Sequence, residues 1–99
     1  MKGNCYIAGK ITGLPLEEVK YHFEKGKKAV VELGYTPIPP LELPHDHDKS
    51  WESYMREDLK ALLGCTVLYA LPNWHESRGA KIEVSLAQSL GIPVIVTTV

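Results

Sequence analysis

Short apolar runs alternate with amphipathic stretches along the whole chain. Cys5-Tyr6-Ile7-Ala8, closed by Gly9, reads as a buried strand followed by a tight loop. From Pro15, Val19, Phe23, Ala29, Val30 and Leu33 recur on one helical stripe, with Glu17 and Glu18 in the first turn. Gly34 supplies the stop, and Gly26 interrupts the stripe midway. Residues 35–38 form a short second strand that Pro37 restricts to a sheet edge. Ser50 then caps a helix whose apolar side carries Trp51, Tyr54, Met55, Leu59, Leu62 and Leu63. Residues 66–71 read as a third, fully buried strand and residues 92–98 as a fourth. Between them lie a loop over 72–78 and a helix ended by Gly91.

Strand and helix alternate throughout, so the expected class is α/β: a parallel four-stranded sheet covered on both faces, in a flavodoxin-like or Rossmann-like three-layer sandwich. Right-handed crossovers with one reversal give the order 2-1-3-4. Residues 1–99 are expected to act as one domain. In such folds ligands bind at the carboxyl edge of the sheet. Residues 9–13, residues 71–79 and the last helix should therefore converge there.

That last helix carries the most informative residue. Glu83 shares a face with Ala80, Ala87 and Leu90, small and apolar enough to pack against a sheet. A carboxylate there is costly to bury unless it is paired or does chemistry. Its place in the first turns also suits the helix dipole, and a plain dipole partner is the bland reading. Asp58 is a second anomaly, at four residues from both Tyr54 and Leu62 on an apolar stripe. It is either a solvated surface acid or an inward one that could orient Glu83 or protonate a leaving base.

Around these acids stand candidate anion ligands. Gly9-Lys10-Ile11-Thr12-Gly13 fits neither dinucleotide nor P-loop spacing, yet its glycines admit close backbone approach, with Lys10 and Thr12 as donors. Ser77, Arg78 and Gly79 at the next helix start offer a hydroxyl, a guanidinium and backbone amides. On spacing alone a simple N-cap is the favoured reading of Ser77. Trp74 could stack on a base or cap the core edge. His45-Asp46-His47-Asp48 lacks the fixed geometry of a metal motif, so no metal and no cofactor is expected. That loop reads instead as a lid or partner surface.

Composition narrows the setting. The chain is 44% hydrophobic and 23% charged with a net charge of −1, which draws neither a nucleic-acid polymer nor a membrane surface. No apolar run reaches the ~20 residues that span a bilayer, and no signal-peptide pattern opens the chain. Cys5 and Cys65 read as small buried hydrophobes, so a cytoplasmic setting is expected.

The order and spacing of several segments together resemble the nucleoside 2-deoxyribosyltransferase-like superfamily, in particular its small uncharacterised members. The carriers are Tyr6-Ile7-Ala8-Gly9-Lys10-Ile11-Thr12-Gly13, Trp51 with Tyr54-Met55, Asp58-Leu59, Cys65, and Ser77-Arg78-Gly79-Ala80-Lys81-Ile82-Glu83. The resemblance implies a flavodoxin-like fold and cleavage of N-glycosidic bonds in nucleosides or their 5′-monophosphates. It assigns the nucleophile to Glu83, the strand-ending aromatic to Tyr6 and the helical aspartate to Asp58. Serine at position 77 resembles the deoxynucleoside-monophosphate N-hydrolases, where that serine binds phosphate; transferases usually carry aspartate. Characterised enzymes continue past the fourth strand with a segment that helps complete a neighbouring subunit's site, whereas this sequence ends at Val99.

The expected function is therefore hydrolysis or transfer at the N-glycosidic bond of a (deoxy)nucleoside 5′-monophosphate. A non-catalytic nucleotide-sensing module is the alternative, and a structural partner protein using the histidine-aspartate loop is a third. Sheet edges left by so small a domain make a homodimer or larger assembly the expected state.

Overall fold

The computed structural model describes residues 2–44 and 50–96. Its elements alternate as β1 (Asn4–Ala8), α1 (Leu16–Glu32), β2 (Thr36–Ile38), α2 (Trp51–Leu63), β3 (Val67–Ala70), α3 (Arg78–Ser89) and β4 (Val94–Val96). Single 3-10 turns at Pro40–Glu42 and Trp74–Glu76 sit in the connections after β2 and β3. The four strands pair in parallel in the order β2-β1-β3-β4, as expected.

Register explains how two chemically different faces arise from one sheet. Tyr6 pairs with Leu68 and Ala8 with Ala70, and all four point to the side covered by α2 and α3. There they meet Leu62, Ala80, Val84 and Ala87. The intervening residues Cys5, Ile7, Val67 and Tyr69 point to the other side, onto Val19, Phe23 and Val30 of α1. This alternation is the period-two geometry of a strand buried on both faces.

Gly26, which breaks the apolar stripe of α1 in sequence, does not break the helix. It is buried, and a Cβ placed on it would lie 2.7 Å from Leu71 Cδ2. The same Leu71 side chain presses on Gly9, so both glycines mark places where backbone approaches the leucine closely. Gly34 and Gly91, at φ +94° and +73°, end α1 and α3 in the left-handed conformation that favours glycine.

One sequence expectation needs correction here. Leu33, Leu63 and Leu90 were assigned to buried stripes, yet they are 41%, 56% and 55% exposed. Leu33 and Leu90 are the C-caps of their helices and Leu63 is the final residue of α2, so each has swung off the packed face. The cysteines behave as buried hydrophobes: both are free, and burial pushes the Cys5 thiol up to about 12 and the Cys65 thiol up to about 11. Among the described residues no helix is long and apolar enough to cross a membrane.

Candidate active site

Glu83 lies in the second turn of α3 with only 4% of its surface exposed. The helix turns it toward the sheet beside Ala80 and Ala87, where the small side chains leave room above Tyr6. The Tyr6 phenol donates to Glu83 Oε2 at 2.6 Å, a short, buried contact. Asp58, on α2, is 8% exposed and close enough for its charge to act on both groups. The inward reading of Asp58 is thus the one the fold adopts.

The electrostatics follow from burial. Loss of water pushes the Glu83 carboxyl up to about 8; the Tyr6 hydrogen bond opposes that shift and the Asp58 charge adds to it. Tyr6 itself is driven far up by burial and by the two nearby carboxylates, so it stays a phenol and a donor. The idea that a helix N-terminus lowers Glu83 fails on geometry. The first turn of α3 holds no acid, and the dipole's influence fades within that turn. Desolvation dominates.

Above this pair opens a cavity of about 980 Å³, at the upper end of the roughly 300–1,000 Å³ usual for small-molecule sites. Its floor is Glu83, Asp58 and Ala80, with Tyr6 directly beneath the glutamate. One wall is apolar and comes from Pro40, Leu41 and Leu43 after β2, facing Trp51, Tyr54 and Met55 of α2. Gly9, Lys10, Ile11 and Thr12 after β1 also line it, and Glu76, Ser77, Arg78 and Gly79 complete it from the β3 side. These segments converge at the carboxyl edge of the sheet, as parallel α/β topology dictates.

Local structure fixes each rim group. Ser77 is the N-cap of α3, accepting the Ala80 N–H on Oγ at 3.1 Å, and it also faces the cavity. Ser50 caps α2 in the same way through the Ser53 N–H at 3.1 Å. Gly79 allows α2 and α3 to close up: a Cβ there would meet Met55 Sδ at 3.0 Å. Lys10 bridges two loops, its backbone N–H donating to Asn73 Oδ1 at 3.1 Å while its Nζ lies 3.8 Å from Glu76. The Arg78 guanidinium stacks on the Trp51 ring, 4.0 Å from its centroid.

The fold thus brings together Glu83, Asp58, Gly9, Lys10, Thr12, Ser77, Arg78 and Gly79 around one cavity, with Tyr6 bonded to its floor. It does not bring Trp74 there. Trp74 packs against the core beneath α2 and α3 and meets His75 edge-on at 6.1 Å, so of its two readings the core-edge one matches the packing. The cavity aromatics are instead Trp51 and Tyr54, and the acid at the rim is Glu76. A signal for Trp51 was available: it follows the Ser50 cap and so begins a helix at the carboxyl edge of the sheet. The loop 45–48 lies outside the described residues, and among those that are described no group of three or more metal-ligating side chains occurs.

Solved structures place this architecture in a known class. The chain is similar to a 2-deoxyribosyltransferase from Bacillus psychrosaccharolyticus, with a TM-score of 0.70 over 94% of this chain and 70% of that one, at 22% identity. It is also similar to a 2-desoxiribosyltransferase from Leishmania mexicana, with a TM-score of 0.67 and 15% identity, over 94% of this chain and 62% of that one. A conserved protein from Enterococcus faecalis V583 gives 0.70 and 22% identity, over 97% and 63% of the two chains. The fold is therefore nucleoside 2-deoxyribosyltransferase-like, and the chain spans 62–70% of the length of these neighbours.

Within that fold, residues 3–96 match the family described as domain of unknown function (DUF4406), and the chain belongs to it. No curated protein sequence matches it significantly.

Proposed function

We propose that this protein breaks the N-glycosidic bond of a (deoxy)nucleoside 5′-monophosphate, with Glu83 as nucleophile. The observation that carries the reading is the buried Glu83 carboxyl, held by the Tyr6 phenol at 2.6 Å and facing a cavity that Asp58 also lines. Ionised Glu83 attacks C1′ as the C1′–N bond breaks, and the electron pair of that bond leaves with the base. Asp58 supplies a proton to the base or steadies Glu83. Water, or an acceptor base, then attacks C1′ of the glycosyl ester, passes the proton it sheds to the Asp58 carboxylate and releases the Glu83 carboxylate. Tyr6 keeps one carboxylate oxygen fixed and stabilises the ionised form.

Phosphate recognition is assigned to Ser77, Arg78, the Gly79 amide region and the 9–12 rim, where Lys10 and Thr12 contribute. The apolar wall of Pro40, Leu41 and Leu43, with Tyr54, suits a sugar and base. The similarity of fold to proteins named as deoxyribosyltransferases supports the reaction class. Self-association belongs to the same proposal, because β2 and β4 remain sheet edges among the described residues. Light scattering is expected to give more than the 11.0 kDa of one chain.

The test is release of free base from a panel of nucleosides and their 5′-monophosphates. Release by wild type, lost in Glu83→Gln, supports the reading. No release from any substrate, or release unchanged in Glu83→Gln, overturns it. Thermal stabilisation by nucleotides without base release would select the sensing-module reading instead.

A further inference from the structure

We infer that Trp51 is a positioning residue that acts through Arg78, and that the stacked pair lets the cavity separate phosphorylated from unphosphorylated ligands. The inference rests on the cavity being the ligand site proposed above, and it concerns recognition rather than the chemical step.

Three carboxylates, Asp58, Glu76 and Glu83, line the same cavity as two cations, Lys10 and Arg78. Acids so close to the ligand oppose a phosphate unless a cation is held where the phosphate arrives. Lys10 is shared with a neighbouring acid, its Nζ lying 3.8 Å from Glu76. Arg78 makes no ion pair with a described residue. Its guanidinium instead lies on the Trp51 ring at 4.0 Å. Stacking uses the flat face of the guanidinium and leaves the in-plane N–H donors available, the edge that grips phosphate oxygens in bidentate fashion.

Both partners are anchored at helix starts. Trp51 opens α2 just after the Ser50 cap, and Arg78 opens α3 just after the Ser77 cap. A long side chain that would otherwise sample many rotamers is thereby held beside Ser77 and Gly79, which line the cavity next to it. The indole acts on the anion only through the arginine, so its removal should weaken phosphate binding specifically.

The experiment measures binding calorimetrically in a Glu83→Gln background, so that ligand is not consumed. The probes are a 2′-deoxynucleoside 5′-monophosphate and the same nucleoside without phosphate. Arg78→Gln is expected to weaken the monophosphate about 10- to 100-fold, as loss of charge-assisted hydrogen bonds implies. Trp51→Leu should weaken it roughly 3- to 30-fold, the range of a partly desolvated cation–π contact, and Trp51→Phe should restore most of the loss. Nucleoside affinity should move less than about twofold in all three, because the arginine touches no uncharged group of the ligand. In a Trp74→Phe protein, whose remaining tryptophan is Trp51, the monophosphate should change the indole emission and the nucleoside should not.

Equal weakening of both ligands by Trp51→Leu, a Trp51→Phe as poor as Trp51→Leu, or an Arg78→Gln that binds the monophosphate normally would each overturn the inference. So would a protein that binds no monophosphate. Trp51-dependent phosphate preference in a protein that releases no base would leave it standing and remove only the catalytic reading.

Discussion

The Tyr6 phenol donates to Glu83 Oε2 across 77 positions of sequence, in a buried bond of 2.6 Å. The bond joins the first strand to the last helix, and it opposes the upward push that burial gives the carboxyl. Two forces of opposite sign therefore set the pH at which Glu83 ionises, and desolvation is the stronger.

Base release should consequently rise with pH. A nucleophile must be ionised, and burial holds Glu83 protonated until about pH 8, so kcat/KM is expected to climb along a limb with an apparent pKa near 8. Tyr6→Phe removes the bond that favours the ionised form. The limb should move to higher pH and the plateau should fall, as steady-state kinetics from pH 6 to 10 would record.

Stability should respond with a defined sign. The folded pKa of Glu83 is raised from 4.5 to about 8, so its contribution is fully present below the unfolded value and is lost as pH rises through the folded one. Glu83→Gln carries no such proton. Relative to wild type, it should gain stability steadily between pH 5 and 8, as urea titrations at both pH values would show. A pH-independent difference would contradict the burial argument.

Ser77 can be separated into its two duties. Ser77→Ala removes the cap of α3 and should cost about 1 kcal/mol in urea unfolding. Ser77→Asp keeps a capping oxygen, so stability should hold, but it places a negative charge where phosphate is proposed to bind. Monophosphate binding should fall in both variants while stability falls in only one.

Gly26→Ala tests the packing of α1. Alanine is the better helix former by about 1 kcal/mol, yet its Cβ would lie 2.7 Å from Leu71 Cδ2. Leu71 has little room to swing aside, because its other methyl occupies the space beside the Gly9 backbone where a Cβ would stand. Overpacking of this kind costs about 1–3 kcal/mol, so the substitution should destabilise on balance. Adding Leu71→Ala should turn the Gly26→Ala effect favourable, which a double-mutant cycle would reveal.

Much of this architecture was legible in the sequence, because period and punctuation carry it. The run 5–8 and the run 66–71 mark the central strands, and Ser50 and Ser77 mark helix starts that the structure caps as expected. Glu83 and Asp58 announced themselves as acids on apolar faces, and both are buried. Trp74 stayed open between two readings because adjacency in a loop says nothing of direction; a single 3-10 turn sets it against the core. The Trp51–Arg78 stack was invisible for a different reason. It depends on two helix starts lying side by side, which only the order of the strands decides.

That strand order also has a temporal consequence. Tyr6 is made 77 positions ahead of Glu83, and the sheet that joins them is parallel, so the pairing waits on distant segments. Until α3 docks, the glutamate is an ordinary solvated carboxyl with an ordinary acidity. No fragment that lacks α3 can hold the pair. The reactivity proposed for Glu83 is thus a property acquired only when α3 docks on the first strand.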